Sequence, residues 1–147
     1  MASFTDRAAV VIDTQIVLDW VLFGDPRVQP WTQAIVAQRI RWLYTAAMLA
    51  EALRVAQYPA LSRRFDAQQS TDKLSQAFSR WGEPCTAAPQ HAQLRCIDRN
   101  DQMFIDLALA RQARWLLSRD RAVLRLARRA QPFGLDIAAP EQAQPPG

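Results

Sequence analysis

The sequence predicts an α/β protein, a parallel sheet with helices on both of its faces. Three observations predict it. Short apolar runs of strand length stand at residues 8–12, 41–44, 115–117 and 135–139. Between them lie helical patterns, and strands joined through helices of ten or more residues need crossover connections, which make a sheet parallel. The first run, AAVVI at 8–12, is unbroken by polar residues, as suits a strand buried on both faces.

The elements follow in order. After the strand at 8–12, Asp13-Thr14 leads into a helix from Gln15 to about Phe23, stopped by Gly24-Asp25-Pro26. Val28–Ile40 reads as a second helix, with Trp31, Ile35 and Val36 at helical spacing. Arg41–Tyr44 is the next strand, and Thr45 is placed to cap a helix over Ala46–Gln57 that ends before Pro59. A short helix over Leu61–Asp66 and a longer one over Thr71–Trp81 follow, the latter closed by Gly82 and Pro84. Cys85–Cys96 reads as a loop. Asn100–Ala113 is an apolar helix, Trp115–Leu117 a strand, Ala122–Ala130 a helix and Leu135–Ala139 a last strand. Residues 1–7 read as an N-terminal tail, 8–139 as one domain, and 140–147 (PEQAQPPG) as a frayed tail.

The 147 residues, half of them apolar, suit one domain with its own core. No apolar stretch approaches the ~18 residues that span a bilayer, and no secretory pattern opens the chain, so a cytoplasmic protein is expected. Cys85 and Cys96 are expected as small buried hydrophobes rather than a disulfide. Scarcity excludes several chemistries. His91 is the one histidine and Lys73 the one lysine, and the four glycines form no phosphate-binding loop or nucleophile elbow. Carboxylates are plentiful, with 14 Asp and Glu in all.

In open parallel sheets the functional crevice lies beyond the carboxyl ends of the strands. Asp13 stands just past the first strand, and Asp120 three residues past Leu117. Either alone could be a turn or cap residue. Asp98 and Asp101 fall at a helix start, where carboxylates also have purely structural uses. Glu51 has two readings. It joins Arg54 and Gln57 on a solvated stripe, or it points into the same crevice. Carboxylates converging without basic partners repel one another, and a hard divalent cation resolves the repulsion. Oxygen ligands in an octahedral arrangement suit Mg²⁺ or Mn²⁺.

The net charge is +4, and 17 of the 18 basic residues are arginine. Arg121, Arg125, Arg128 and Arg129 share one face of the helix expected over 122–130, with no acid between them. That face is either an ordinary solvated one or a track for a polyanion or an acidic partner. The five tryptophans could stack bases, but suit a core or a dimer face better.

The order strand–Asp13-Thr14, helical Glu51, Asp98-x-x-Asp101 opening a helix, and Ser118-Arg119-Asp120 after a strand resembles the PIN domain family. The likeness is nearest to the branch of toxin components of bacterial toxin–antitoxin pairs. It covers residues 8–139 and is strongest in VIDTQIVLD and CIDRNDQMFIDLALARQARWLLSRDRAVL. The resemblance implies a three-layer α/β/α fold with a central parallel sheet, and a Mg²⁺- or Mn²⁺-dependent ribonuclease. Carried over by position, Asp13, Glu51, Asp101 and Asp120 would be the catalytic carboxylates and metal ligands. Asp98, Thr14, Gln15 and Ser118 would support them, and Arg121, Arg125, Arg128 and Arg129 would hold RNA or an antitoxin. Gln15 departs from the family, where Asn is common. The resemblance also implies an RNA substrate, a cognate antitoxin protein and a homodimer. The alternative is a PIN-fold module with weak or no catalysis that binds RNA or protein. A phosphatase or receiver domain fits less well, because Lys73 follows no strand.

Overall fold

The computed structural model describes residues 7–91 and 93–147. The expected N-terminal tail therefore lies, apart from Arg7, outside the described residues. Five strands form one sheet: β1 (Ala9–Ile12), β2 (Arg41–Thr45), β3 (Gly82–Cys85), β4 (Trp115–Leu117) and β5 (Asp136–Ala138). All pairings are parallel and the spatial order is β3-β2-β1-β4-β5. The chain builds outward from β1 to β3 on one side, then returns to place β4 on the other side of β1. The strand order thus reverses at the carboxyl ends of β1 and β4, the position where such sheets bind ligands.

Two apolar layers cover the sheet, as a three-layer α/β/α protein requires. Successive side chains of a strand point to opposite faces. Val10 and Ile12 of β1 join Trp42, Trp115 and Leu117 on one face. Helices α1 (Thr14–Val21), α2 (Gln29–Val36), α3 (Ala46–Ala56) and α5 (Ala67–Trp81) supply the residues that cover it. Ala9 and Val11 join Leu43, Leu116 and Ile137 on the other, under α6 (Gln102–Ala110) and the two turns α7 (Arg121–Leu124) and α8 (Ala127–Ala130). Trp31, Trp42 and Trp115 are core residues, while Trp20 and Trp81 pack together at the core's edge, 5.5 Å between ring centroids. The cysteines are unpaired and only partly buried, short of the full burial expected.

β3 is the element that the sequence conceals. Gly82-Glu83-Pro84-Cys85 reads as a helix stop, yet it pairs with β2 from Trp42 to Thr45. Proline is tolerated because β3 is an edge strand and needs to bond on one side only. Arg41 fastens the pair by donating from Nε and Nη2 to both oxygens of Glu83. A Cβ on Gly82 would stand 2.6 Å from Cε1 of Tyr44 and 2.8 Å from the Phe78 carbonyl oxygen. Tyr44 cannot swing clear, since its ring packs against Phe78 and Trp42. Gly82→Ala should therefore cost about 1–3 kcal/mol by overpacking. A thermal midpoint equal to the parent's would show that the Tyr44 ring moves aside.

Several boundaries differ from expectation. The helix expected over 28–40 ends at Val36, after which Gln38 turns left-handed at φ 61°. The helix expected over 61–66 is the turn α4 (Pro59–Ser62). α5 begins at Ala67 rather than Thr71, because the Asp66 carboxylate caps it by accepting from the Gln69 amide. The helix expected over 122–130 is broken at Arg125–Leu126. Val123, Leu126 and Ala130 keep the i, i+3, i+7 spacing and all reach the core, while the four arginines remain exposed, Arg121 on the first turn, Arg125 at the break, and Arg128 and Arg129 on the second turn. The frayed tail does not start at residue 140. Residues 140–142 form a 3₁₀ turn, Pro140 is buried, and its carbonyl accepts from the Trp31 indole N–H at 2.9 Å.

Candidate metal centre

The end of β1 delivers Asp13, which is 5% exposed. Its amide donates to the carbonyl of Leu117 in β4, so the two strand ends are tied where the site begins. Asp13 caps α1: Oδ1 accepts from the Ile16 amide at 3.0 Å, and Oδ2 accepts from the Ser118 hydroxyl. Ser118 is itself fully buried and accepts from the Asp120 amide at 3.0 Å. One hydroxyl therefore ties the Asp13 carboxylate to the backbone of Asp120. Asp120 caps α7 through Oδ1, bonded to the Ala122 amide, and its residue stays exposed.

Asp98 and Asp101 arrive on a 3₁₀ turn that leads into α6. Asp98 caps that turn by accepting from the Asn100 amide. The loop before it is fastened to α6 by two side chains not assigned a role from sequence. Gln102 donates to the Leu94 carbonyl and to Asp106, and buried Asp106 also accepts from the His91 amide. Both readings of Glu51 hold together. Its Oε2 accepts from the Thr14 hydroxyl at 2.6 Å, inside the crevice, while Oε1 stands 3.6 Å from Arg54.

The cleft these elements enclose, about 370 Å³, is lined by Asp13, Thr14, Gln15, Glu51, Asp101, Arg119 and Asp120, among others. Ligand oxygens of Asp98, Asp101 and Asp120 lie within 4.8 Å of one another. Burial pushes the Asp13 carboxyl up to about 6, against the lowering effect of its bonds to Ser118 and Ile16, with Asp120 and Asp19 raising it further. Burial also pushes Asp101 up to about 7, and the charges of Asp120, Asp98, Asp13 and Glu51 add to it. Those four charges all act on Asp101, which makes it the electrostatic centre of the cluster. Its Oδ2 is buried and has no hydrogen-bond partner among the described residues.

A buried acceptor without a donor is costly unless something cationic meets it. The donor set is all carboxylate and hydroxyl oxygen, which fits a hard divalent ion. Among the described residues no histidine or cysteine lines the cleft.

Gln15 lies at the mouth of the cleft, and its amide donates to Asp19 Oδ1 at 2.8 Å. The other oxygen of Asp19, a residue only 6% exposed, accepts from Arg119 Nε at 3.2 Å. Arg119 is thus part of the site's wall, with Asp19 bonded behind it, and the sequence reading gave neither a role. The signal was present in the i, i+4 spacing of Gln15 and Asp19 and in Arg119 standing between Ser118 and Asp120. The four arginines at 121, 125, 128 and 129 lie outside the cleft lining, and Arg129 donates to the Gln93 carbonyl.

A family model described as PIN domain matches residues 9–122. No curated protein matches the chain. Among solved structures, VapBC2 from Rickettsia felis, bound to a DNA fragment from their promoter, is 15% identical with a TM-score of 0.60, covering 88% of this chain and 96% of that one. PAE2754 from Pyrobaculum aerophilum is 16% identical with a TM-score of 0.59, covering 89% of this chain and 83% of that one. At these identities the likeness is one of fold.

Proposed function

Since the chain belongs to the PIN domain family, we propose that it is a Mg²⁺- or Mn²⁺-dependent endoribonuclease, the toxin of a toxin–antitoxin pair. The observation that carries this reading is the partnerless buried Oδ2 of Asp101 at the centre of five carboxylates. Asp101, Asp120, Asp13 and Glu51 would hold the ion, with Asp98 close enough to contribute. When bound, the ion supplies Lewis-acid chemistry: it orients and acidifies a water and stabilises charge on the leaving oxygen.

The protein's own groups prepare the site. Ser118 and the Ile16 amide fix both oxygens of Asp13, so that its carboxylate cannot rotate. Thr14 turns Glu51 by bonding Oε2. Burial of Asp13 and the half-buried setting of Asp101 lower the local dielectric, which strengthens every charge interaction made there. No lysine or histidine is needed as a base, in keeping with their scarcity.

An RNA substrate is proposed on the family and on the four exposed arginines at 121, 125, 128 and 129. A cognate antitoxin is supported by the resemblance in sequence and by the VapBC2 fold likeness, whose described complex includes promoter DNA. A homodimer is proposed on the resemblance. A cytoplasmic setting is proposed likewise; among the described residues no helix is long and apolar enough to cross a membrane.

The test is cleavage of labelled single-stranded and structured RNA by purified protein in Mg²⁺, Mn²⁺ or EDTA. Products with 5′-phosphate and 3′-hydroxyl ends that form only with metal are expected. RNA binding without cleavage would favour the binding-module reading. Arg125→Glu with Arg128→Glu should weaken RNA affinity about tenfold or more at low salt, because each single-strand phosphate contact contributes roughly 0.7 to the salt slope. Unchanged affinity and slope would leave those arginines as a solvated surface.

A further inference from the structure

The cleft contains a second unmatched atom besides the Asp101 oxygen. Arg119 lines the same cleft as the carboxylates. Its Nε donates to Asp19 and its Nη1 to Glu141, leaving Nη2 buried with no hydrogen-bond partner among the described residues. Asp101 Oδ2 is the matching orphan acceptor, yet Arg119 and Asp101 form no ion pair within 4 Å. The two residues that carry these buried orphan atoms, one a donor and one an acceptor, line one cleft.

We infer that Arg119 is the phosphate-gripping residue of the site, its Nη2 donating to a non-bridging oxygen of the RNA phosphodiester while the carboxylate side holds the cation. This assignment rests on the nuclease reading above. A guanidinium carries five N–H donors in a rigid planar fork. Here two edges of the fork are spent on structure. Asp19, held in turn by Gln15, fixes Nε from α1. Glu141 fixes Nη1 from the 3₁₀ turn over 140–142, and Arg27 supports Glu141 from 3.7 Å. Asp25 lies near enough to feel the Arg119 charge but makes no bond to it. Such anchoring removes the rotamer freedom that a flexible arginine would lose on binding. What remains is one unspent donor group on a residue that lines the cleft with the acids, where a phosphate with its bound cation would satisfy both orphans at once. It also assigns a purpose to Gln15: the amide holds Asp19, and through it the arginine.

The experiment compares the parent with Arg119→Lys, which keeps the charge and loses the fork, and with Glu141→Gln, which loosens one anchor at an exposed position. Binding of a fluorescent single-stranded RNA is measured in Ca²⁺, a hard cation of the same ligand preference, over a range of salt, and cleavage is measured in Mn²⁺. Arg119→Lys should lower kcat about 100-fold, within the range for loss of one preorganised donor, and lower the RNA affinity roughly tenfold. Glu141→Gln should lower kcat severalfold with the metal affinity, read by calorimetry without RNA, unchanged. Parent-like kcat and RNA affinity in both variants, with an active parent, would overturn the assignment while leaving the nuclease reading intact. A parent that neither cleaves with metal nor binds RNA would overturn both. Should Arg119→Lys not fold, Glu141→Gln decides by itself.

Discussion

Asp101→Asn is expected to abolish metal-dependent RNA cleavage, by on the order of 10³-fold, and to leave the metal-free protein more stable than its parent. The two effects have one cause. Asp101 is the carboxyl on which burial and the charges of Asp120, Asp98, Asp13 and Glu51 converge. Its ionisation is what a cation relieves, and the amide removes the charge without removing the shape. Oδ2 makes no bond to protein that the substitution would break. At pH 8 the gain should be about 1 kcal/mol after solvent screening of this part-exposed group, or ~2–4 °C in the thermal midpoint. Asp13→Asn should lose as much activity but gain no stability, because Oδ2 of Asp13 accepts the Ser118 hydroxyl. Activity within tenfold of the parent in Asp101→Asn would remove this residue from the catalytic centre. A variant that unfolds would make it a structural acid.

In EDTA the thermal midpoint should fall as pH rises from 5.5 to 8, and added Mn²⁺ should reverse that fall. Asp13 and Asp101 are raised from 3.8 to about 6 and about 7. Between those limits the folded protein holds protons that the unfolded chain has released, so stability declines with rising pH across that window. Asp25 and Glu141 are lowered instead, and their stabilisation is complete well below pH 5.5. They do not mask the trend. Buried Asp13 represents roughly 2–3 kcal/mol over its whole range at about 1.4 kcal/mol per pKa unit, most of it lost below pH 5.5; above that pH Asp13 and the part-exposed Asp101 together contribute about 1–2 kcal/mol, on the order of 4 °C for a chain of this size. Mn²⁺ at 100 times its dissociation constant adds ~2.7 kcal/mol at pH 8, and much less at pH 5.5, where protons compete for the same oxygens. A midpoint independent of pH and of Mn²⁺ would contradict the carboxylate cluster as a cation site.

The parts of the fold that were legible in the sequence are those whose local pattern and tertiary role agree. AAVVI is an apolar run because β1 is buried on both faces at the centre of the sheet. Asp13 and Asp120 were found because they follow strands, and the strand order brings those two ends together. β3 was hidden because its stability is not local: Gly82 serves the Tyr44 ring, Pro84 relies on an edge position, and Glu83 relies on Arg41 across the sheet. The helix expected over 122–130 has its buried face where periodicity puts it, at Val123, Leu126 and Ala130, but periodicity does not report that the backbone is interrupted at Arg125–Leu126. Arg119 was passed over because its partners, Asp19 and Glu141, lie 100 and 22 residues away. Only folding reveals which two of its donors are taken and which is left.

The bond between Ser118 and Asp13 joins residues 105 positions apart. On a ribosome adding roughly 5–20 residues per second, β1 waits several seconds or more for the neighbour that completes the site at its carboxyl end. Asp13 emerges early, but the hydroxyl and the carboxylate that sit opposite it are translated only near the end of the domain. A nascent chain therefore carries no finished cleft beside the message being read. The candidate metal centre can assemble only once synthesis has passed Asp120, so the topology makes its completion a late step in translating the domain.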